Sequence, residues 1–280
     1  MANVPNAYAT LTDIKNELGE TSTDATRDAI LMGLMEDMSR KIDSALRGRH
    51  FYVRSATKYF DVMDPCNVLI DDCLSISALT SDSEGDGTFD GTTYTQGDAG
   101  DYLLWPDDSW PKLKLTRAAN PTYSFCYGKR YLKAVGLWGY GDGESATPYR
   151  SSGLTGTLSD ATDTSLTASV DADEVIKTGH TLLIESEQVY VTAVSGTTIT
   201  VERGINGTTA AAHTAATLYI YKYPRPVSNK CRELVKRAYG DRMPSGKRME
   251  MIGQYQYQNW DAGQIEEDIR EALSDFMPPR

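Results

Sequence analysis

The chain has 280 residues and a formal net charge of −11, and its length allows one large domain or two. The negative charge argues against a protein that coats nucleic acid, because such binding neutralises phosphates with Lys and Arg. No apolar run approaches the ~20 residues needed to span a bilayer, and no basic segment followed by an apolar run lies near Met1. We therefore expect a soluble protein that is made in a cytoplasm and has no contact with a membrane.

A short helix is predicted near the N-terminus. Leu11, Ile14 and Leu18 recur at the spacing of one helical face. Thr10 is a natural N-cap, and Gly19 stands where a left-handed residue ends a helix.

The strongest periodic signal is the stretch from Asp24 to Leu46. Apolar residues recur there every three or four positions, and charged residues occupy the opposite face. The members of this apolar stripe are Ile30, Leu34, Met38, Ile42 and Leu46. Thr23 or Asp24 would cap the helix, and Gly48 lies where its C-terminal end is expected. A helix of this length cannot bury its stripe alone, so its partners must come from elsewhere in the chain.

Residues 51–152 show almost no helical periodicity and many strand and turn signals. Short apolar or alternating runs, separated by Pro and Gly, predict strands at 51–53, 58–62, 68–70, 75–80, 102–105, 113–115 and 131–140. Their short spacing predicts an antiparallel sheet. Residues 141–153 are rich in Gly and Ser, and we predict that they form a linker.

A small all-β domain is predicted at residues 153–223, where the chain is rich in Thr, Ala, Val and Gly. Its strands are expected at 181–185, 188–194, 198–202 and 218–221, with a hairpin turn at Ser195-Gly196. We interpret this segment as a barrel or sandwich inserted into the rest of the chain, with its two ends close together.

Two further amphipathic helices are predicted after this domain. Their apolar residues are Val227, Cys231, Leu234, Val235 and Ala238 in the first, and Ile265, Ile269, Ala272, Leu273 and Phe276 in the second. The predicted fold class is therefore α+β. The helices of residues 1–50 and 224–280 form a bundle, residues 51–152 form an antiparallel β region, and residues 153–223 form the inserted β domain.

One segment is basic although the chain as a whole is acidic. Between Lys222 and Glu250 there are nine basic and three acidic residues, a local balance of +6. This segment can be a solvated helix face or a docking surface for an acidic partner, either protein or DNA. The candidate docking residues are Arg225, Lys230, Arg232, Lys236, Arg237, Arg242, Lys247 and Arg248.

No motif in the sequence predicts catalysis, a metal or a cofactor. The acidic stretch from Asp82 to Thr93 has the first ligands of a calcium loop but Thr in place of the final Glu, and we interpret it as a hairpin loop. His50, His180 and His213 lie far apart in the sequence and are expected to be structural. The four cysteines form no CxxC pair and are expected to be buried thiols.

The order of the elements resembles that of the head-tail connector (adaptor) proteins of tailed bacteriophages. The stretches that carry this resemblance are LTDI (11–14), IDSALRGRHFY (42–52), LSISALT (74–80), GDGT (85–88), DYLLWP (101–106), GLWGY (136–140) and the closing helix at 265–276. The stretches EQVYV (187–191) and ERGINGTTA (202–210), with His213, are similar to small β inserts of phage virion proteins.

The resemblance implies a structural virion protein in the neck, between head and tail, and not an enzyme. It implies a twelvefold ring of copies beneath the portal protein, which extends the DNA channel and binds tail-side neck or tail completion proteins. DNA would pass through the channel without specific binding, which suits an acidic chain. The helix at 24–46 would pack against its own core on one face and against a neighbouring copy on the other. The basic segment, as the one such patch on an acidic chain, and the C-terminal helix are expected to face the portal.

Two other functions are consistent with the sequence. The Thr-rich β domain and the aromatic residues Trp105, Tyr219 and Tyr221 are compatible with a carbohydrate-binding or adhesion protein. A hydrolase that uses a pair of carboxylates is also compatible with so acidic a chain, although no pair stands out.

Overall fold

The computed structural model describes residues 5–21, 23–241, 249–252, 255–258 and 262–278, and it is a mixed α+β protein. The chain forms two compact units. The first comprises residues 1–49, 149–205 and 209–280, and the second comprises residues 50–148 and 206–208. The β segment that the sequence predicts as an insert thus shares a unit with the helices, and the division at 153 and 223 stays a prediction.

The first unit contains four α-helices in its described part: α1 (Leu11–Leu18), α2 (Ala25–Ala45), α3 (Arg225–Asp241) and α4 (Ala262–Ala272). The predicted ends of α1 are confirmed, because the Thr10 side chain accepts a hydrogen bond from the Asp13 N–H and Gly19 has a φ of 64°. Asp24 caps α2 by accepting from the N–H groups of Thr26 and Arg27. A short 3₁₀ turn, Ser274–Phe276, follows α4, so the predicted closing helix is shorter than expected.

The buried face of α2 differs from the predicted stripe at one end. Leu34, Met38, Ile42 and Leu46 are buried, but Ile30 is 38% exposed. The fully buried residues beside them are Leu31 and Met35.

Helices from the two ends of the chain contact each other in this unit. Ser39 Oγ on α2 lies 3.4 Å from Cys231 Sγ on α3. Arg270 Nε on α4 donates to the Ala45 carbonyl at 3.0 Å. The partners that α2 requires therefore come from the C-terminal part of the chain.

The second unit is an antiparallel sheet of six strands: β1 (Arg54–Val62), β2 (Asn67–Ser81), β3 (Thr93–Tyr94), β4 (Tyr102–Trp105), β5 (Lys112–Arg117) and β6 (Gly128–Trp138). Their order is β1-β6-β2-β5-β4, with β3 paired to β2. The two strands predicted at 68–70 and 75–80 are one strand, β2, whose register shifts on both sides of Cys73. Residues 51–53, predicted as a strand, lie outside the regular sheet.

Six strands in the first unit form a closed antiparallel barrel: β7 (Tyr149–Leu158), β8 (Ser165–Ala168), β9 (Thr181–Ile184), β10 (Glu187–Ser195), β11 (Thr198–Glu202) and β12 (His213–Tyr221). Its interior is filled by aliphatic side chains such as Leu166, Val189 and Leu218. The hairpin turn at Ser195-Gly196 is confirmed, with Gly196 at a φ of 61°. Strand β7 begins at Tyr149, inside the predicted linker.

The barrel and the N-terminal helices share hydrogen bonds within this unit. The Leu11 N–H donates to the Thr178 carbonyl at 3.0 Å, and Thr181 Oγ1 donates to Asn6 Oδ1 at 2.9 Å. The Asn6 residue is completely buried. The stretch before α1 is thus hydrogen-bonded to the barrel segment at both of its ends, Asn6 and Leu11.

Two further short strands, β13 (Met249–Ile252) and β14 (Tyr255–Gln258), form an antiparallel pair that the sequence patterns do not predict. None of the helices described here is both long and apolar enough to cross a membrane.

Candidate functional site

The predicted docking residues that the structure describes lie on α3, which has a buried face and a polar face. Of its predicted apolar residues, Val227, Cys231, Leu234 and Val235 are buried and Ala238 is half-buried. Arg225 and Lys236 are exposed and make no ion pair within the described part of the chain. These two side chains are available to a partner.

Lys230 is not available to a partner, because its side chain is only 5% exposed. Its Nζ lies 2.7 Å from Asp268 Oδ2 on α4 and 3.0 Å from Glu233 Oε2. A lysine ammonium in this position is stabilised only by such paired carboxylates. Lys230 therefore joins α3 to α4.

Arg232 and Arg237 are partly exposed and are paired within the chain. Arg237 contacts Glu233 at 2.8 Å and Asp268 at 3.4 Å, and Arg232 contacts Glu17 at 3.2 Å. Arg242, Lys247 and Arg248 lie outside the described residues. Of the predicted docking residues, Arg225 and Lys236 are thus the ones that are exposed and make no ion pair among the described residues.

A groove of about 690 Å³ runs beside Lys236, and its volume is within the range of ligand sites. It is lined by Leu18, Glu20, Arg27, Glu233, Lys236, Arg237, Tyr239 and Gly240. Arg27 pairs with Glu20 at 2.6 Å, and this nearby carboxylate raises the pKa of the Arg27 guanidinium. Because both groove carboxylates already have an arginine partner, Lys236 is the lining cation that can bind an added carboxylate.

A second polar cluster lies at one end of the barrel and centres on Glu187, the first residue of β10. Arg203 Nε and Nη2 donate to its two oxygens at 2.7 and 2.8 Å, and His213 Nε2 lies 2.8 Å from Oε2. The N–H groups of Gly204 and Ala211 also donate to this carboxylate, each at 3.0 Å. The side chain of Glu187 is completely buried, and its charge is stabilised by these five donors.

Burial alone would raise the pKa of the Glu187 carboxyl, but the hydrogen bonds from Arg203, His213 and the two backbone N–H groups lower it to about 2. Arg203 Nη1 also donates to the Asp160 carbonyl at 3.0 Å, and Nη2 donates to the Ala211 carbonyl at 2.6 Å. The cluster therefore connects the loop after β7 to the ends of β10, β11 and β12. The donors and acceptors of this cluster are thus bonded to one another. Glu187, Arg203 and His213 hold the strand ends together, and we call these three residues the clasp.

The side chains of this clasp come from Glu187, Arg203 and His213, all of which are among the residues that carry the resemblance to phage β inserts, but no sequence pattern predicts their contact. His213 is structural as expected, in the sense that it bridges Glu187 and Glu185 at 2.8 Å each. The available signal was a glutamate at the start of an apolar strand, since a buried carboxylate requires a cation or several donors.

Other parts of the chain that suggested chemistry have structural explanations. The Asp82 carboxylate accepts hydrogen bonds from the N–H groups of Gly85 and Gly87, as in an ordinary capped loop between β2 and β3. No group of metal-binding side chains occurs among the described residues. The aromatic residues that suggest glycan binding differ in exposure, because Tyr221 is only 8% exposed and Trp105 is 51% exposed.

The expectation for the cysteines is wrong for two of the four. Cys73 and Cys231 are buried, whereas Cys66 and Cys126 are exposed.

Comparisons with protein-family models, with curated proteins and with solved structures gave no match.

Proposed function

We propose that this chain is a structural virion protein, a head-tail connector that forms a ring beneath the portal of a tailed phage. The observation that supports this most is the packing of the N-terminal helix α2 against α3 and α4 from the other end of the chain. The order of elements that resembles the connector family requires this closure, and helices in separate units would have argued against it.

In this proposal the helices form the bundle that repeats around the ring, and the ring extends the DNA channel from the portal to the tail-side neck proteins. The net charge of −11 favours passage of DNA without tight contacts, because like charges repel. The apolar stripe of α2 is not the surface between copies, since Leu34, Met38, Ile42 and Leu46 are buried in their own unit. Ile30, which is 38% exposed, is the stripe residue that can contact a neighbour.

The exposed side of α3 is our candidate for the portal-binding surface. It carries Arg225 and Lys236, whose charges are not neutralised by a carboxylate within the described residues. Cations that lack a partner in the monomer can gain one on binding, whereas the paired Lys230 cannot do so without giving up its contacts with Asp268 and Glu233.

The test is native mass spectrometry of the full-length protein with and without the portal protein of the same phage. We expect a ring on the portal, and weaker binding after the double substitution Arg225→Glu and Lys236→Glu. Lys41→Glu, an exposed lysine on α2, is the matched control.

The absence of any complex between the wild-type protein and its portal would refute the connector proposal itself. A complex that forms equally well with the double variant would retain that proposal and reject α3 as the docking surface.

A further inference from the structure

A cluster of exposed aromatic, apolar and basic side chains lies at one end of the β1–β6 strand pair. The last paired residues are Val62 and Gly128, and the residues just beyond them are Met63 and Tyr127. Met63 is 79% exposed and Tyr127 is 73% exposed, which is unusual for large apolar side chains on adjacent positions. Tyr59 on β1 is 42% exposed.

Arg130, at the start of β6, is fixed in place by this cluster. Its guanidinium carbon lies 4.2 Å from the centre of the Tyr59 ring and 5.7 Å from that of Phe89. The backbone N–H of Arg130 donates to Asp61 Oδ1 at 2.6 Å. The backbone has a φ of 50°, a conformation that costs energy for a residue with a Cβ. The aromatic faces therefore hold the guanidinium, and the backbone hydrogen bond fixes the main chain of the residue that carries it.

The guanidinium of Arg130 nevertheless makes no hydrogen bond or ion pair with a carboxylate in the part of the chain that the structure describes. The same is true of the exposed side chain of Lys129 beside it. An arginine that is held by aromatic rings and whose guanidinium N–H groups donate to no carboxylate is preorganised for bidentate binding of a carboxylate.

We propose that Met63, Tyr127, Lys129 and Arg130, with Tyr59, form a docking surface for a protein segment that carries one or two carboxylates beside apolar side chains. Arg130 binds a carboxylate, and Met63 and Tyr127 cover the apolar residues next to it. Tyrosine, methionine and arginine are the residue types enriched at protein interfaces. This surface belongs to the second unit and does not depend on the connector proposal.

Charge and composition favour a protein segment over nucleic acid as the occupant. Phe89, whose ring centre lies 5.0 Å from that of Tyr59, belongs to the loop between β2 and β3. That loop carries Asp82, Glu84, Asp86 and Asp90. A phosphate backbone with one charge per nucleotide would meet this acidic loop, whereas a mainly apolar segment with one or two carboxylates would not be repelled to the same degree.

The experiment uses the full-length protein as bait for a library of random twelve-residue peptides, with depletion of the library on the Arg130→Gln variant. We expect the selected peptides to share Asp or Glu beside aliphatic or aromatic residues. The best peptide is then synthesised with a fluorescent label, and its affinity is measured by anisotropy.

Arg130→Gln should weaken the binding of this peptide by about 10-fold or more, because a charge-assisted pair is lost. Met63→Ser should weaken it as well, and this variant cannot disturb the core because Met63 is 79% exposed. Arg117→Gln is the matched control, since Arg117 is exposed in the same unit and does not stack on a ring. Its affinity should stay within about 2-fold of wild type.

Failure to select acidic peptides, or equal affinities for the wild type and the Arg130→Gln and Met63→Ser variants, would overturn the proposal. A labelled single-stranded oligothymidylate and a labelled duplex are tested in parallel. Binding of either DNA that is tighter than that of the peptide and is lost in Arg130→Gln would show that the occupant is nucleic acid, and would also overturn it.

Discussion

At the scale of single residues, buried charged side chains in the first unit are each bonded to several partners. Glu187 has five donors around it, and Arg203 has acceptors on three different segments of the barrel. Replacement of such a network as a whole by apolar residues changes the stability of a protein little. Removal of one member alone lowers the stability strongly, because it leaves a buried charge without its partner. Its value to the chain lies in fixing the ends of several strands in one arrangement.

Glu187→Gln should destabilise the protein by roughly 3–5 kcal/mol, because Arg203 would keep a buried charge without its carboxylate. Urea unfolding followed by circular dichroism measures this change. Glu174→Gln, an exposed glutamate in the same barrel, is the control and should change the free energy of unfolding by less than about 0.5 kcal/mol. Similar values for the two variants would show that the clasp contributes no stability.

Asp43 on α2 is the residue whose pH dependence should be most visible. Burial raises the pKa of its carboxyl to about 7, against the opposing effects of Arg40 and of the hydrogen bond from Tyr8. The folded chain thus keeps this proton at pH values where the unfolded chain, with a pKa near 3.8, has released it. The contribution of Asp43 to stability should therefore fall as the pH rises from about 4 to about 7.

Asp43→Asn should remove this fall. Its stability relative to wild type should increase by up to about 4 kcal/mol between the two ends of that pH range. Chemical unfolding of both proteins at a series of pH values measures the difference, and Asp37→Asn, on the exposed face of α2, is the control. A constant difference across the range would mean that Arg40 and Tyr8 keep Asp43 ionised.

At the scale of elements, α3 has two roles that the basic segment alone does not distinguish. One side of its polar face attaches α4 through Lys230 and Asp268, and the other side presents Arg225 and Lys236 to the solvent. Substitution of cations along this helix should thus affect either stability or, under the proposed function, binding to the portal, depending on position.

Lys230→Gln should loosen α4, because Asp268 would lose its closest cation. We expect faster amide hydrogen exchange across Ala262–Ala272 and a loss of roughly 1–3 kcal/mol of stability. Lys236→Gln, on the same helix but exposed, should leave exchange in α4 unchanged. If both variants exchange at the same rate, the ion pair does not hold α4.

At the scale of the whole molecule, the barrel is more than an external addition to the helices. The sequence interpretation of an inserted domain implies that removal of residues 154–221 leaves the remainder intact. In the first unit, however, the backbone near the start of β9 accepts a hydrogen bond from the Leu11 N–H, and Thr181 is a partner of the buried Asn6. A Cβ at Gly179 would lie 3.0 Å from the Ala9 carbonyl, which shows how closely the two segments approach.

Replacement of residues 154–221 by a short Gly/Ser loop should therefore lower the melting temperature and weaken the helical signal in far-UV circular dichroism. Thr181→Val, which removes one hydrogen bond to Asn6, is the milder variant and should cost about 1 kcal/mol. An unchanged melting temperature of the deletion variant would show that the barrel is a dispensable insert.

The sequence by itself determined several local features, namely the ends of α1, the β11 strand and the turn at Gly196, and it narrowed the N-cap of α2 to Thr23 or Asp24. Each depends on residue spacing and backbone preference within a few positions, and such information is present in any short window of the chain. The fold class α+β and the antiparallel strands followed from the same patterns.

Only the tertiary structure decided which charges are used inside the molecule and which remain for partners. Lys230 and Lys236 are six positions apart on one helix, but Lys230 faces Asp268 and Lys236 faces solvent. Glu187 and His213 meet because the barrel closes. These pairings depend on the path of the chain between distant positions, and residue spacing within a single helix or strand does not record that path.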